Sequence, residues 1–214
     1  MRHGIQNLSA AVLGARTPDL ALSGFNVGAN TGIATLFSGT VGAACEAVRE
    51  GVPAVALSGS SGAQTAWTAA PQVYQRVYAD LSLNVTQALL ASGPPYLPAG
   101  VFLNVNFGAV GDDECTSAAD FGFVLSRIYQ SHGGDVHTCG NNGFLPREST
   151  VIGASGCWAS ISVASASSKF DASEIAQAVV LSKLSGILTC LPASDDKLDE
   201  VFSGIADVIN DLKE

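Results

Sequence analysis

The chain has 214 residues, of which 14% are charged and 47% are apolar when Tyr and Cys are counted. An average soluble protein has about 25% charged residues, so this composition excludes intrinsic disorder and coiled coil and predicts one domain with a substantial core. The formal net charge is −9. Such a chain would repel a phosphate backbone, and we expect no nucleic acid polymer as a partner.

Neither a membrane span nor a signal peptide is predicted. The longest apolar candidate, residues 175–192, is interrupted by Gln177 and Lys183, whereas a span needs roughly 18 uninterrupted apolar residues. At the amino terminus, Gln6 and Asn7 interrupt the apolar segment that a signal peptide requires. We therefore expect no membrane association, and an export signal, if the protein is secreted, would lie elsewhere.

In chain order, the first two-thirds alternates short apolar runs with helical patterns, which is typical of a parallel sheet covered by helices. Residues 38–50 have apolar side chains at helical spacing and are followed by Gly51, which suits the position after a helix. A second helix is predicted over residues 71–93 because apolar residues recur every four positions from Val73 to Leu89. The predicted strands of this part are residues 19–23, 52–58 and 101–107.

The pattern changes after residue 120, where two strands are separated by a long polar loop. We expect these strands to form an antiparallel excursion or arm. The predicted elements are strands at 121–129 and 157–164 and helices at 171–190 and 195–213. The fold class is thus α/β, a mostly parallel sheet flanked by helices, with one domain over residues 1–192 and an amphipathic C-terminal helix within 193–214.

The five cysteines differ in their surroundings. Cys45 falls on the apolar face of a predicted helix, the usual position of a buried free thiol. Two glycosylation sequons begin at Asn7 and Asn84, and with the cysteines they favour an oxidising, extracellular compartment. The remaining cysteines could form two disulfide bonds, whose pairing stays open: Cys115, Cys139, Cys157 and Cys190.

A candidate phosphate site follows the first predicted strand. Residues 23–32 are glycine-rich, and Ser38, Gly39 and Thr40 then open a helix. Ligands of open α/β sheets bind beyond the carboxyl ends of strands, and free N–H groups at a helix N-terminus suit a phosphate dianion. The alternative is structural, with Ser38 acting only as a helix cap.

The same loop offers amide oxygens for a metal. Asn26 and Asn30 carry the hard oxygen ligands that Mg²⁺, Mn²⁺ or Ca²⁺ prefers. A divalent cation also needs carboxylates, and the only acids between residues 20 and 79, Glu46 and Glu50, lie further down the following helix. The loop alone does not complete a metal site, and both asparagines could simply satisfy turns.

Two further features support weaker hypotheses. Ser58, Ser60 and Ser61 follow a predicted strand but lack the G-x-S-x-G spacing of a nucleophile elbow, which favours a polar turn over a serine hydrolase. Trp67 could line a substrate site or pack in the core.

Three ordered motifs carry a family resemblance: PDLALSGFNVGAN at residues 18–30, FSGTVGAA at 37–44 and GVPAVALS at 51–58. Together with LNVNF at 103–107 and FVLSRI at 123–128, they closely resemble the core of the SurE-type survival-protein phosphatases. The resemblance extends from about residue 5 to about residue 192. The loops that carry Cys115, Cys139 and Cys157 look most like the secreted fungal branch, often described as acid phosphatases.

The resemblance implies a Rossmann-like fold and a metal-dependent phosphomonoesterase of the acid phosphatase or 5'-nucleotidase type. It implies Mg²⁺ or Mn²⁺ as cofactor, a small phosphate ester such as a nucleoside monophosphate as substrate, and a homodimer. By the same resemblance, Asn26 would bind the metal, and Ser38, Gly39 and Thr40 would hold the phosphate.

The family's Asp-Asp pair, in an N-D-D-G motif, would lie before Met1, so we expect the chain to begin inside the domain. The first hypothesis is therefore a SurE-like phosphatase that could be inactive as this chain alone. The second is a non-catalytic copy that binds phosphate esters or a partner, and the third is a serine hydrolase.

Overall fold

The amino-terminal part of the protein alternates strands and helices. The computed structural model describes residues 1–111 and 113–192. After a π-helical turn at Gly4–Leu8, the elements are α1 (Ser9–Val12), β1 (Ala21–Val27), α2 (Ala34–Phe37), α3 (Gly39–Arg49), β2 (Ala54–Gly59), α4 (Val73–Ala91) and β3 (Val101–Phe107). The predicted strands and helices of this part are confirmed, with shifts of a few residues at their ends.

The carboxyl-terminal part corrects one prediction. The helix predicted over residues 171–190 ends at Lys183; Ser185 and Gly186 then turn the chain into a short strand. The helix predicted within 193–214 lies outside the described residues. The elements, after a 3₁₀ turn at Ala118–Asp120, are β4 (Gly122–Ser126), α5 (Glu148–Ile152), β5 (Trp158–Ser165), α6 (Glu174–Lys183) and β6 (Leu188–Thr189).

The described strands form one six-stranded sheet in the order β1-β2-β3-β5-β4-β6. β1, β2 and β3 are parallel, β5 is antiparallel to β3, and β4 is parallel to both β5 and β6. The expected antiparallel element is thus the β3–β5 pair. β4 and β5 are not a separate arm, because they are parallel to each other and lie inside the main sheet.

The two faces of the sheet have different chemistry. The face that packs on α4 and α6 is apolar and includes Leu103, Val105 and Ile161. Because side chains alternate along a strand, the opposite face receives the residues between them. That face packs on α3 but carries a layer of buried polar side chains, which we call the polar layer: Ser58, Asn104, Asn106, Ser126, Ser160 and Ser162.

Two disulfide bonds join loops of the carboxyl-terminal part. Cys115 is bonded to Cys157 and Cys139 to Cys190, so the expectation of two bridges is confirmed. Cys45 is a buried free cysteine on α3, as predicted. Within the described residues, no helix combines the length and apolar character needed to cross a bilayer.

Candidate phosphate site

Asn26 lies at the end of β1, after a break in the strand register. The pairing of β1 with β2 shifts between Ser23 and Asn26, and Gly24 has a φ of 121°, which disfavours a side chain there. Beyond the shift, Asn26 is opposite Ser58. Its Nδ2 donates to the Gly28 carbonyl at 2.8 Å. Its Oδ1 accepts no hydrogen bond from the described residues and is the oxygen that could meet a cation.

The loop after β1 is fixed by Asn30. This residue is buried, and its backbone N–H donates to Oδ1 of Asn106 at 2.7 Å. Its carbonyl accepts from Nδ2 of Asn104 at 2.9 Å and from Nδ2 of Asn106 at 3.2 Å. Its own Nδ2 donates to Oγ of Ser58 at 2.7 Å. Asn30 therefore anchors the loop to the polar layer and is not placed as an exposed metal ligand.

The loop leads into α3, whose N-terminus faces the carboxyl edge of β1 to β3 because α3 connects two parallel strands. Ser38 caps this helix: its Oγ accepts from the Val41 N–H at 3.1 Å. Within the described part of the chain, the N–H groups of Gly39 and Thr40 donate to no protein acceptor, and Gly39 is exposed. Ser38 thus fulfils the structural alternative, while Gly39 and Thr40 offer donors to an anion.

A cation supports the turn that precedes Ser38. Nζ of Lys169, which follows β5, donates to the carbonyls of Leu36 at 2.8 Å and Thr35 at 3.1 Å. Next to it, the hydroxyl groups of Tyr129 and Thr35 are 3.3 Å apart and share a hydrogen bond. Lys169 therefore brings a positive charge from a distant part of the sequence to the segment that carries the candidate site.

Behind the loop, α5 contributes a carboxyl group to the polar layer. Glu148 is fully buried, and its Oε1 accepts from Nδ2 of Asn104 at 2.7 Å. Burial raises the pKa of Glu148 to about 8, against the lowering effects of the Ser162 hydroxyl and the Asn104 amide. At neutral pH this residue is therefore mainly a neutral acid.

Sequence reasoning missed Glu148 and Lys169 because both lie in segments without a motif. It also passed over Asn104 and Asn106, although asparagine at alternate positions of LNVNF is an unusual pattern for a strand buried on both faces.

The serines proposed for a hydrolase are committed to structural hydrogen bonds. Ser58 is buried beside Asn30, Ser60 donates to the Phe107 carbonyl at 2.8 Å, and Ser61 donates to the Val110 carbonyl at 3.1 Å. None of the three bonds to a histidine among the described residues, which leaves the serine hydrolase without a general base. Trp67 is 95% exposed, so the core-packing alternative for this residue is wrong.

The residues present do not by themselves fit a complete metal site. Asn26 offers one neutral oxygen, whereas Mg²⁺ or Mn²⁺ is normally held through carboxylates as well. Within residues 1–111 and 113–192, no group of three acidic, histidine or cysteine side chains is placed to hold a metal ion.

Fold and loop together define an α/β protein whose candidate anion site lies at the carboxyl edge of parallel strands. The family model of the survival protein SurE matches residues 3–132, more than half of the chain. The chain therefore belongs to the SurE family.

Relatives agree with this assignment, and a solved structure shares the fold. A protein named 5'-nucleotidase SurE from Gemmatimonas aurantiaca is 41% identical over 106 residues, which cover 49% of this chain and 38% of that protein. One of the same name from Sulfurovum sp. is 34% identical over 122 residues, covering 56% of this chain and 42% of that protein. The crystal structure of the SurE protein from Aquifex aeolicus has a TM-score of 0.51 and 18% identity, covering 77% of this chain and 64% of that chain.

The structural likeness shows the fold alone. In each case the match spans well under half of the curated relative's own length, 38% and 42% for these two.

Proposed function

We propose that this chain forms part of a phosphomonoesterase that acts on small phosphate esters such as nucleoside monophosphates. Membership of the SurE family and the name 5'-nucleotidase of its relatives support this proposal. The observation that carries it is the pair of unpartnered N–H groups of Gly39 and Thr40 at the start of α3. They would donate to the phosphate oxygens, and the helix dipole would favour the negative charge.

The proposed enzyme depends on a divalent cation, Mg²⁺ or Mn²⁺, which would polarise the phosphoryl group and activate water. Asn26 would supply one oxygen ligand through Oδ1. Because the described residues do not complete the ligand set, the role assigned to this chain is limited to holding and orienting the ester. Ser38 sets the direction of the first turn of α3, and Lys169 holds the preceding turn.

A second candidate function is binding without turnover. It is favoured by one observation, the lack of a metal-binding carboxylate cluster among the described residues. Both functions require the same anion site, so they differ in turnover and not in affinity for phosphate.

A donor at Gly39 can be removed without breaking the helix. Gly39→Pro deletes one N–H at the first helical position, where proline is well tolerated, and Ser38 before it already has the extended backbone (ψ 127°) that proline requires. We expect its affinity for inorganic phosphate, measured by calorimetry, to fall about tenfold, the value of a charge-assisted hydrogen bond. Gly39→Ala keeps the N–H and adds a Cβ into open space, so it is the matched control with wild-type affinity.

Phosphate release from a nucleoside monophosphate, measured with Mg²⁺, Mn²⁺ and a chelator, separates the two functions. Cation-dependent release that is lost in Asn26→Ala supports the enzyme. Phosphate binding that is weakened by Gly39→Pro, without release, supports the binder. If Gly39→Pro binds phosphate as the wild type does, or if the wild type neither binds nor releases phosphate, both are overturned.

We also propose an oxidising, extracellular location, a place in the secreted fungal branch and a homodimeric state. The two disulfide bonds support the location. The mass of the native protein under non-reducing conditions tests the bridges, and light scattering tests the dimer.

A further inference from the structure

Glu148 is the one described carboxyl group that is wholly buried against the polar layer. It starts α5, and its backbone N–H donates to the Arg127 carbonyl at 2.9 Å, which ties α5 to the end of β4. Its side chain points into the sheet, where Oε1 accepts from Nδ2 of Asn104 at 2.7 Å. Burial of a carboxyl group has a high energetic cost unless its polar atoms are hydrogen-bonded, so the partners of Glu148 decide what it does here.

Asn104 connects Glu148 to the loop of the candidate phosphate site. Nδ2 of Asn104 donates both to Glu148 and to the carbonyl of Asn30, the latter at 2.9 Å. Asn30 is the anchor of that loop, and the backbone of Gly32 in the same loop lies beside the Glu148 carboxyl group. The orientation of the Asn104 amide therefore depends on Glu148, and the loop depends on that amide.

Two acceptors in this cluster lack donors. Oε2 of Glu148 and Oδ1 of Asn104 are both buried, and neither accepts a hydrogen bond of standard geometry from the described residues. Ionisation of Glu148 would make this worse, because a buried negative charge needs several hydrogen-bond donors. A proton on Oε2 removes the charge and replaces an acceptor without a donor by a hydroxyl group, so the cluster is better matched by the neutral acid.

The charged groups around Glu148 do not favour its ionisation. Asp171 lies between β5 and α6, and its negative charge adds to the effect of burial in raising the pKa of Glu148. The guanidinium of Arg127 is already paired with Asp135 at 2.8 Å and with Asp171 at 3.2 Å. β3 and β5 contribute only the uncharged Asn104 and Ser162 to the carboxyl group.

We propose that Glu148 is a positioning residue: as a neutral acid it locks the Asn30 loop through Asn104, and its ionisation in mildly alkaline solution releases that loop. The effect of this ionisation on phosphate-ester binding rests on the proposed function, whereas its effect on the loop does not. The device would make phosphate binding strongest in acidic and neutral solution.

Amide hydrogen exchange of residues 28–38 tests the lock directly. In the wild type we expect the protection of this segment, corrected for intrinsic exchange rates, to fall by about tenfold between about pH 6.5 and about pH 9, where the ionised form outweighs the acid by about that factor. Glu148→Gln has the same shape and cannot ionise, so its protection should change by less than about threefold. Glu174→Gln removes an exposed carboxylate and should behave as the wild type does.

Calorimetric titration with inorganic phosphate over the same pH range gives the functional readout. We expect wild-type affinity to weaken as the pH rises, after correction for the ionisation of phosphate itself, and the affinity of Glu148→Gln to stay level. If the loop loses protection as described but no variant binds phosphate, the proposed function fails and the positioning role stands. If phosphate binds and protection changes equally in the wild type and Glu148→Gln, the positioning role is overturned.

The wild type alone decides the matter if Glu148→Gln does not fold. The NMR signals of the Asn104 side-chain amide and the Asn30 backbone amide should then shift together with a midpoint near the pKa of Glu148, about 8. Signals that stay constant over this range would refute the proposal.

Discussion

The two halves of the sheet hold their loops by different means. Beyond β1 to β3, the first part of the loop of the candidate phosphate site is held by uncharged hydrogen bonds among Asn30, Asn104 and Asn106, and Lys169 supports only its last turn. In the half formed by β5, β4 and β6, the ion pairs of Arg127 and two disulfide bonds hold the loops. Neutral anchors do not compete with an anion bound at the start of α3.

The difference follows from the length and composition of the loops. The segment between Ser126 and Glu148 has no helix or strand of its own and buries few apolar side chains, so it needs other constraints. Asp135 at its centre accepts from Arg127, Ser131 and Gln177. The site loop is shorter and is joined to β3 by the hydrogen bonds of Asn30 to Asn104 and Asn106.

Removal of the Arg127 guanidinium should have the largest effect on stability. Arg127→Met leaves Asp135 and Asp171 buried without their partner, and we expect the free energy of unfolding to fall by about 3–5 kcal/mol. Chemical denaturation measures the loss. The control is Arg147→Met at an exposed arginine, which should change stability by less than about 0.5 kcal/mol. If both variants lose the same free energy of unfolding, ion pairs do not hold the loops of this half, and the difference between the halves is not supported.

The two halves should respond to pH in opposite directions. The pKa of Glu148 is raised from 4.5 to about 8, so its contribution to stability is complete below pH 4.5 and is lost as the pH rises to about 8. Although burial opposes it, hydrogen bonds from Ser131, Gln177 and Arg127 lower the pKa of Asp135 below 3.8, so its contribution is present above that pH and is lost in acid.

Denaturation at several pH values tests this pair. Between pH 4.5 and about 8, Glu148→Gln should lack a decline of roughly 2–4 kcal/mol that the wild type shows. Asp135→Asn should instead flatten the loss of stability below pH 3.8. A wild-type profile that is level up to pH 8 would contradict the account of the polar layer.

The smallest effect is expected from a change at Lys169, which follows β5 and supports the site loop in the other half of the sheet. Lys169→Met removes the cation that the chain after β5 brings to Leu36, and we expect affinity for inorganic phosphate to fall about fivefold at low salt. Lys169→Arg keeps the charge and should lose less than about twofold. If calorimetry gives the same loss for both variants, geometry and not charge is the contribution of Lys169.

Much of the fold could be predicted from local patterns. The period of apolar residues located β3 at its observed bounds and α3 to within a residue, since both signals act over a few neighbouring positions. The helix predicted over residues 171–190 was too long because the apolar content of this segment continues past Lys183. The turn at Ser185 and Gly186 and the disulfide bond of Cys190 to Cys139 decide the path of the chain after the helix.

The sequence by itself determined the motif at residues 18–44, and with it the family and the place of Ser38, Gly39 and Thr40 at a helix N-terminus. Only the tertiary structure decided what surrounds that motif, because Lys169 and Glu148 are more than 100 positions away along the chain and reach it through the strand order. Local propensity encodes a cap or a turn, whereas a buried acid and its partners are defined by which strands become neighbours.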